Sequence, residues 1–444
     1  MKLIVQPAKN FEGEATPPSS KSHSVRALIL ATLAQGTSYL YNLLDADDGH
    51  AAIEVCKDLG ATITFKKNAT GGLDVIVKSE GVPLNTLTTD LFSSNSGITT
   101  TFVIPLIGLR KNTDISLTLS CGEQMQKRPL KSIIQAVKNL GMDVKCFDNN
   151  DNCPLGLSGN LIGGYCAVDG TNSQYVSALL LSLPAAQKNS VIKVRNLQER
   201  PYVDMTLAWL AEQNIRIGHS KRTEGADTVD TFKIFGNQEY QPFTKTMPGD
   251  FSSASYLIAA AVLLPGEVIF HGLDMEDPQG DKRIISILQE MGADIQIEKT
   301  ARDNTIKITG GRSLKGMTID CGDMPDMLPT LAVIGTQAQG STTLLNVANA
   351  RIKETDRIKS MAAELTKMGA RVEEKKSSLT IFQSKLHHAK LHGYSDHRTI
   401  MALALAGMLA DGTTTIDTAE NINKTFPSFA DMMNRLGANM ELAT

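Results

Sequence analysis

The sequence lacks the features that mark several large classes of protein. Its six cysteines are scattered and form no CxxC pair, a pattern typical of free thiols in a reducing compartment, so we expect a cytoplasmic protein. No apolar run is long enough to cross a bilayer, and the opening MKLIVQPAKNFEGEA has no long apolar core for export. The chain contains no HExxH or zinc-finger spacing, no GxxxxGK[ST] and no strand-borne GxGxxG. We therefore expect no metal, no nucleotide-driven mechanism and no membrane partner.

Charge and aromatic content also narrow the range of partners. The formal net charge is -3 and aromatic residues make up 5% of the chain, and both oppose binding to nucleic acid. If the substrates are anionic, their basic site must be built locally against this background. A chain of 444 residues is too long for one ordinary core, so two domains are expected.

A helix-end phrase recurs along the chain and indicates repeated modules. In each copy an amphipathic helix closes with a glycine at the left-handed C-cap position, and a short strand follows. A weaker copy has Asn214 in place of the glycine. The spacing is roughly seventy to eighty residues, which predicts six small α+β modules in two groups of three. The five glycines are Gly60, Gly141, Gly292, Gly369 and Gly437.

The breaks between modules predict where the domains divide. The stretches TPPSSKS and EYQPFTKTMPGD are rich in proline, glycine and polar residues. We therefore predict a first lobe over residues 21–245 and a second lobe made of residues 1–20 with 246–444. The chain would cross twice, near 18–22 and 240–250, and two crossings at one place make a hinge with a ligand cleft beside it.

Basic side chains gather at predicted helix starts. Ser20-Lys21-Ser22 precedes a helix that is predicted to begin near His23 and to carry Arg26, an arrangement that suits an anion. Lys127-Arg128-Pro129 is predicted to open a helix with proline in its first turn. Taken alone, each segment also fits a capped helix with solvated charges.

The second half of the chain repeats this pattern. RIKETDRIK, from Arg351, is predicted to start a helix with Lys353 and Arg357 one turn apart. Asp396 or Ser395 is predicted to cap the apolar helix TIMALALAGMLA. Four basic residues therefore stand at helix starts: Lys353, Arg357, Arg398 and Lys424.

These segments carry a resemblance to a known family. NSGITT, KRPL, NSQYVSALLLSLPAA, RPYVDMTL, GDFSSASYLIAAA, NARIKETDRI, YSDHRTIMALAL and NKTFPSF occur in this order. The chain resembles the 5-enolpyruvylshikimate-3-phosphate (EPSP) synthases, which are enolpyruvyl transferases, from end to end. The resemblance implies an α+β fold of two similar lobes, each of three βαβαββ units, arranged like an inside-out α/β barrel. It also implies transfer of the enolpyruvyl group of phosphoenolpyruvate to the 5-hydroxyl of shikimate 3-phosphate, a step of aromatic amino-acid synthesis.

The resemblance also implies which residues form the site. Asp326, Glu354 and Lys21 would be catalytic, with Glu354 protonating the enol methylene and Asp326 handling the proton of the acceptor hydroxyl. The phosphoenolpyruvate contacts would be Lys21, Gly97, Arg128, Arg357, Arg398 and Lys424. The shikimate 3-phosphate contacts would be Lys21, Ser22, Arg26, Asn172, Ser173, Gln174, Tyr202, Asp326, Asn349 and Lys353. No cofactor or metal is implied, and a monomer is expected.

The sequence departs from the family pattern at several of these positions. Thr101 stands where the family has an arginine, Asn172 replaces a serine, and Glu199, beside Arg200, replaces another serine of the acceptor's phosphate pocket. Glu199 would repel a phosphate unless it turned away or paired with Arg200. A diverged transferase with another hydroxylated acceptor therefore stays open.

Two further functions can be weighed on single residues. A non-catalytic binding protein on the same scaffold would be expected to lose Glu354, Asp326 or Lys21, and all three are present. The UDP-N-acetylglucosamine enolpyruvyl transferases carry a reactive cysteine before an Arg-Pro pair. Cys121 lies seven rather than five residues before Arg128, and an ordinary buried thiol is the simpler interpretation.

Overall fold

The computed structural model describes residues 1–148, 150–225, 227–299 and 304–443. The chain divides into two compact units. The N-terminal unit is Ser19–Met247, and the C-terminal unit is Met1–Pro18 together with Pro248–Thr444. The chain therefore passes from one unit to the other after Pro18 and after Met247.

The strands of the described residues are short and evenly distributed. In chain order they are β1 Lys2–Gln6, β2 Gly13–Ala15, β3 Gln35–Leu43, β4 Thr62–Lys67, β5 Leu73–Glu80, β6 Asp90–Phe92, β7 Leu117–Ser120, β8 Met142–Cys146, β9 Leu155–Gly159, β10 Tyr165–Asp169, β11 Ser190–Arg195, β12 Ile217–Glu224, β13 Asp227–Ile234, β14 Thr244–Thr246, β15 Glu267–Phe270, β16 Asp294–Lys299, β17 Asn304–Thr309, β18 Thr318–Asp320, β19 Ser341–Leu345, β20 Val372–Glu374, β21 Ser378–Phe382, β22 Lys390–Leu391, β23 Thr414–Asp417 and β24 Asn439–Ala443.

The α-helices are interspersed among these strands. They are α1 Lys21–Leu33, α2 Asp47–Asp58, α3 Gly97–Leu106, α4 Glu123–Gln126, α5 Lys131–Asn139, α6 Ser173–Ser182, α7 Arg200–Glu212, α8 Phe251–Leu263, α9 Arg283–Met291, α10 Leu328–Gln337, α11 Arg357–Lys367, α12 His397–Met408 and α13 Phe429–Arg435. Short 3-10 helices cover Ile107–Leu109, Leu183–Ala185, Gly280–Lys282, Pro325–Met327, Ala348–Ile352 and Ala419–Lys424.

Each unit contains three four-stranded sheets of one design. In every sheet one edge strand pairs in parallel with its neighbour, and the other two pairings are antiparallel. The N-terminal unit has the strand orders β14-β3-β5-β4, β6-β7-β9-β8 and β10-β11-β13-β12. The C-terminal unit has β2-β15-β17-β16, β18-β19-β21-β20 and β22-β23-β1-β24. This sixfold repeat agrees with the predicted α+β modules.

The core of each unit is formed around helices that are apolar on nearly all sides. In α8 every residue from Phe251 to Val262 is buried, and α3 is buried along its whole length, as expected for helices that do not face water. Helices such as α5 and α11 bury one face only. Buried α8, α10 and α12 belong to one apolar cluster, and α1, α3 and α6 belong to the other.

The predicted helix ends are confirmed. All five glycines of the repeated phrase have a positive φ, between 89° and 115°, and Asn214 has φ 58°. Only glycine and, less readily, asparagine enter this left-handed region at low cost. The glycines and the asparagine that recur along the sequence therefore mark the ends of helices.

Two predicted helix starts are wrong in detail, whereas α1 begins at Lys21, within two residues of the predicted start near His23. Helix α11 begins at Arg357, because Asp356 caps it by accepting the Lys359 N–H at 3.0 Å. Lys353 and Arg357 therefore do not share a helical turn. Pro129 lies before α5, because the N–H of Leu130 is donated to Asp151 O at 3.1 Å and the helix starts one residue later.

Within the described part of the chain, every helix is too short or too polar to cross a bilayer.

Candidate active site

The C-terminal unit gathers its predicted site residues around Arg357. The first residue of α11, Arg357 has only 1% of its side chain exposed. Its Nε donates to Asp396 at 2.7 Å, its Nη1 to Asp326 at 2.6 Å and its Nη2 to Glu354 at 2.7 Å. One planar guanidinium therefore holds three carboxylates, a geometry that a lysine could not supply.

Two further cations complete this network. Arg398, on the first turn of α12, lies 2.9 Å from Asp326. Lys424, the last residue of the 3-10 helix Ala419–Lys424, lies 3.2 Å from Glu354. Asp326 and Glu354 each therefore contact two cations, and the three cations formally balance the three carboxylates.

The three carboxylates differ in exposure. Asp396 has no exposed side-chain surface, whereas Glu354 and Asp326 are 9% and 19% exposed. Asp396 also caps α12 by accepting the N–H of Arg398 at 2.9 Å. It is therefore a fixed partner of Arg357, while the other two carboxylates are accessible.

The electrostatics of the two arginines follow from these contacts. Burial alone would lower the pKa of Arg357, but Asp396, Glu354 and Asp326 outweigh burial and hold it above its ordinary value. The pKa of Arg398 is likewise raised against burial, chiefly by Asp326. Both side chains are therefore charged at neutral pH.

A fourth carboxyl group adjoins this network and was not predicted. Asp281, in the 3-10 helix Gly280–Lys282, is buried and accepts a short hydrogen bond from the Ser252 hydroxyl on α8. Burial, reinforced by the charge of Asp326, raises its pKa from 3.8 to about 7. Asp281 therefore keeps its proton to a higher pH than an ordinary aspartate does.

Two predicted acceptor ligands lie on the segment that leads to Arg357. Asn349 is part of the 3-10 helix Ala348–Ile352, and Lys353 directly follows it. The Nδ2 atom of Asn349 is buried and has no hydrogen-bond partner among the described residues. A buried amide donor without a partner is unusual in a folded protein and is suited to a polar ligand.

In the N-terminal unit, Lys21 and Arg26 make different kinds of contact. Lys21, at the start of α1, lies 3.2 Å from Asp48 of α2. Arg26 is buried and donates to Ser22 O at 2.9 Å and to Tyr202 O at 2.9 Å. Burial lowers the pKa of Arg26 to about 9. Three predicted acceptor ligands are thus joined through one guanidinium.

Gly97 and Arg128 are brought together by packing. Gly97 is the first residue of α3, and a Cβ atom added to it would lie 2.9 Å from Cζ of Arg128. The missing side chain therefore leaves room for the guanidinium group. The resemblance names both residues as contacts of phosphoenolpyruvate, but it did not indicate that Gly97 and Arg128 pack against each other.

The start of α6 carries three predicted ligands of the acceptor. Asn172 caps the helix through the Gln174 N–H at 3.0 Å. The Gln174 side chain meets the hydroxyl of Thr101, the residue that replaces the family arginine, at 3.5 Å. Ser173 donates its hydroxyl proton to Oε2 of Glu199 at 2.7 Å.

Comparisons with known proteins identify the family. The sequence profile of EPSP synthase (3-phosphoshikimate 1-carboxyvinyltransferase) matches residues 5–433. The 3-phosphoshikimate 1-carboxyvinyltransferase of Ruminiclostridium cellulolyticum is 39% identical over 439 residues, which cover 98% of each chain. That of Acetivibrio thermocellus is 40% identical over 440 residues, 99% of each chain.

This chain belongs to the EPSP synthase family.

The fold of the EPSP synthases is found in solved structures as well. EPSP synthase from Acinetobacter baumannii superposes with a TM-score of 0.80 at 23% identity and covers 100% of both chains. The enolpyruvyl transferase NikO from Streptomyces tendae has a TM-score of 0.75 at 15% identity, covering 99% of this chain and 98% of that one. The predicted family and fold class are confirmed.

Several residues of the site were not predicted from the sequence. Asp396 was identified only as a helix cap, although it lies inside the DHR motif. Asp48 and Asp281 carried no distinct signal, because their partners come from other segments of the chain. Cys121 is buried, in agreement with the simpler interpretation of that thiol.

Proposed function

We propose that this EPSP synthase transfers the enolpyruvyl group of phosphoenolpyruvate to the 5-hydroxyl of shikimate 3-phosphate and releases phosphate. The function fits the family, whose curated relatives carry the name 3-phosphoshikimate 1-carboxyvinyltransferase. The observation that carries the proposal is the network around Arg357, where Asp326 and Glu354 contact three cations at 2.6–3.2 Å. The reaction needs both a proton donor and a proton acceptor beside anion-binding groups, and this network supplies all three.

The basic residues suit a donor that carries both a phosphate and a carboxylate. We assign phosphoenolpyruvate to Arg357, Arg398 and Lys424 of the C-terminal unit and to Lys21, Gly97 and Arg128 of the N-terminal unit. Guanidinium forks match both anions of this substrate. We assign the acceptor to Lys21, Ser22, Arg26, Asn172, Ser173, Gln174, Tyr202, Asp326, Asn349 and Lys353.

The chemistry proceeds by addition and elimination. Glu354 gives a proton to C3 of phosphoenolpyruvate, and C2 becomes electrophilic. The 5-hydroxyl oxygen of the acceptor attacks C2 while its proton passes to Asp326. The C2–O bond to phosphate then breaks, the departing phosphate takes the proton held by Asp326, and C3 returns a proton to the carboxylate of Glu354. A vinyl ether and inorganic phosphate are formed, both side chains regain their starting protonation, and no cofactor enters the scheme.

The network also suggests how binding prepares these groups. While Arg357 and Lys424 contact Glu354, its ionised form is stabilised and it is a poor proton donor. Anionic groups of phosphoenolpyruvate would take over the cations and release Glu354 and Asp326, which are the accessible carboxylates. Asp396 would stay in place and keep Arg357 oriented.

The domain boundaries belong to the same proposal. We propose that the two compact units are the lobes predicted over 21–245 and over 1–20 with 246–444. The cytoplasmic location, the monomeric state and the lack of a nucleic-acid partner remain predictions.

Phosphate release from phosphoenolpyruvate tests the function. Purified protein would be given shikimate 3-phosphate, shikimate or UDP-N-acetylglucosamine as the acceptor. We expect rapid release with shikimate 3-phosphate and no measurable release with UDP-N-acetylglucosamine. Release with UDP-N-acetylglucosamine alone, or no release with any acceptor, would refute the proposal.

Two variants link this assay to the network. Glu354→Gln removes the assigned acid without changing its shape and is expected to lower kcat by about 10²–10⁴-fold. Glu373→Gln, at an exposed partner of Arg371, is the matched control and should behave as the wild type. Equal activity in both variants would show that Glu354 is not the acid.

A further inference from the structure

The contact between Ser173 and Glu199 has a consequence for the acceptor site. Ser173 is the first residue of α6, and Glu199 directly precedes α7 with a left-handed φ of 51°. Both side chains belong to residues that are only 2% exposed. The 2.7 Å hydrogen bond therefore lies inside the N-terminal unit, where charge interactions are weakly screened.

This hydrogen bond occupies the serine as a donor. A hydroxyl group has one proton, and here that proton is directed at Oε2 of Glu199. A phosphate oxygen placed on Ser173 would need the same proton. It would also meet the negative charge of Glu199 at short range, because an ionised carboxylate can only accept hydrogen bonds.

The neighbouring arginine has other carboxylate partners. Arg200 donates to Asp230 at 2.9 Å and lies 3.6 Å from Asp204. The positive charge of Arg200 is thus shared between Asp230 and Asp204 before any substrate enters the site. A bound phosphate would avoid repulsion by Glu199 if that side chain turned away or paired with Arg200. Glu199 has not turned away, because it accepts the hydrogen bond of Ser173.

We propose that Glu199 is a specificity-determining residue that competes with the acceptor's phosphate for the hydroxyl of Ser173. The inference rests on the proposed function, because it takes Ser173 as a ligand of that phosphate. The result is an acceptor site that gains less from the 3-phosphate than the same site with a neutral residue at this position. The enzyme therefore discriminates less strongly between shikimate 3-phosphate and unphosphorylated shikimate.

The test replaces the carboxylate with an amide of the same shape. Glu199→Gln keeps the side-chain length and the backbone requirement at φ 51°, and its amide can donate to a phosphate. Glu212→Gln, the same change at the 53% exposed far end of α7, is the matched control. For each protein, kcat and KM would be measured with both acceptors, and the Kd of shikimate 3-phosphate would be measured by calorimetry.

The expected result is selective for the phosphorylated acceptor. Glu199→Gln should lower the KM and Kd of shikimate 3-phosphate by about tenfold or more. The KM for shikimate should change little, so the ratio of kcat/KM values for the two acceptors should rise by the same factor. A residue with a purely structural role would shift both acceptors together. The Glu212→Gln control should match the wild type.

A second variant tests whether Glu199 and the phosphate of the acceptor compete for the hydroxyl of Ser173. Ser173→Ala should weaken shikimate 3-phosphate binding more in the Glu199→Gln background than in the wild type, because only there is the hydroxyl released. An unchanged or raised Kd in Glu199→Gln would overturn the inference, even if the wild type turns shikimate 3-phosphate over. If no acceptor supports phosphate release, the proposed function fails, and the calorimetric comparison still decides the role of Glu199.

Discussion

At the scale of single residues, Arg357 compensates the charges of three carboxylates in the C-terminal unit. Its guanidinium contacts Asp326, Glu354 and Asp396 in an interior where an unpaired carboxylate is costly. Removing one partner of a buried ion pair costs more than the pair itself contributes, because the other charge stays behind.

Replacing Arg357 should therefore destabilise the protein. Arg357→Met replaces the guanidinium group with a shorter apolar side chain and is expected to lower the free energy of unfolding by about 3–5 kcal/mol. Arg371→Met, at an exposed arginine 3.0 Å from Glu373, should cost no more than about 1 kcal/mol. Urea denaturation of both variants would measure the difference, and equal losses would show that the three carboxylates do not depend on Arg357.

Asp281 makes stability depend on pH in a defined direction. Its folded pKa of about 7 lies above the ordinary 3.8, so between these values the folded state binds a proton that the unfolded state has released. Stability contributed by this group is full below about pH 4 and falls as the pH rises to about 7. Asparagine cannot titrate, so Asp281→Asn should remove this slope.

Unfolding free energies measured from about pH 4 to about pH 8 test the prediction. The stability of the wild type relative to Asp281→Asn should decline from about pH 4 to about pH 7 and then level off. The exposed Asp431→Asn variant on α13 is the control for loss of a carboxyl group and should follow the wild type. Parallel curves for the wild type and Asp281→Asn would show that Asp281 does not titrate with a raised pKa.

At the scale of secondary-structure elements, the start of α3 illustrates how a helix can position a side chain that lies outside it. A Cβ atom on Gly97 would lie 2.9 Å from Cζ of Arg128, so Gly97→Ala must displace the guanidinium. We expect the KM for phosphoenolpyruvate to rise by about tenfold or more while the fold is retained.

Gly218→Ala on β12 is the matched control for Gly97→Ala. There the nearest atom to an added Cβ, Cβ of Lys233, is 3.7 Å away, which is an ordinary contact. Steady-state kinetics and thermal unfolding of both variants separate the effects. An unchanged KM in Gly97→Ala would mean that Arg128 does not bind phosphoenolpyruvate.

The ends of the helices could be predicted from the sequence more reliably than their starts. The helix ends were predictable, because a left-handed C-cap demands glycine or asparagine at a single position. Helix starts were less so, since Asp356 caps α11 through a local bond that competes with one further helical turn. The site was predictable where charged residues cluster along the chain. Asp281 and the second role of Asp396 depend on residues far away in sequence, so no local pattern revealed them.

At the scale of the whole molecule, the two units differ in how they are assembled from the chain. The N-terminal unit is one continuous segment, whereas the C-terminal unit includes Met1–Pro18. In the C-terminal unit β1 lies between β23 and β24, pairing antiparallel with both. The breaks in the sequence predicted that residues 1–20 join residues 246–444, but no local signal indicated that β1 pairs with β23 and β24.

This difference predicts the behaviour of fragments. Residues 19–247 contain three complete sheets and their own apolar cluster, so we expect them to fold alone with a cooperative thermal transition. Residues 248–444 lack β1 and β2 and should not, unless residues 1–18 are joined to them through a flexible linker. Circular dichroism melts would decide. A cooperative transition of 248–444 alone would contradict the importance of β1.

The fate of C2 of phosphoenolpyruvate shows directly whether the enolpyruvyl group is transferred. Carbon-13 NMR would be recorded while the enzyme acts on C2-labelled phosphoenolpyruvate and shikimate 3-phosphate. If the proposed transfer takes place, the label moves into a vinyl ether attached to the acceptor, and one phosphate is released per ether formed. A label that stays in phosphoenolpyruvate, or that appears in free pyruvate, would show that the enolpyruvyl group is not transferred to shikimate 3-phosphate.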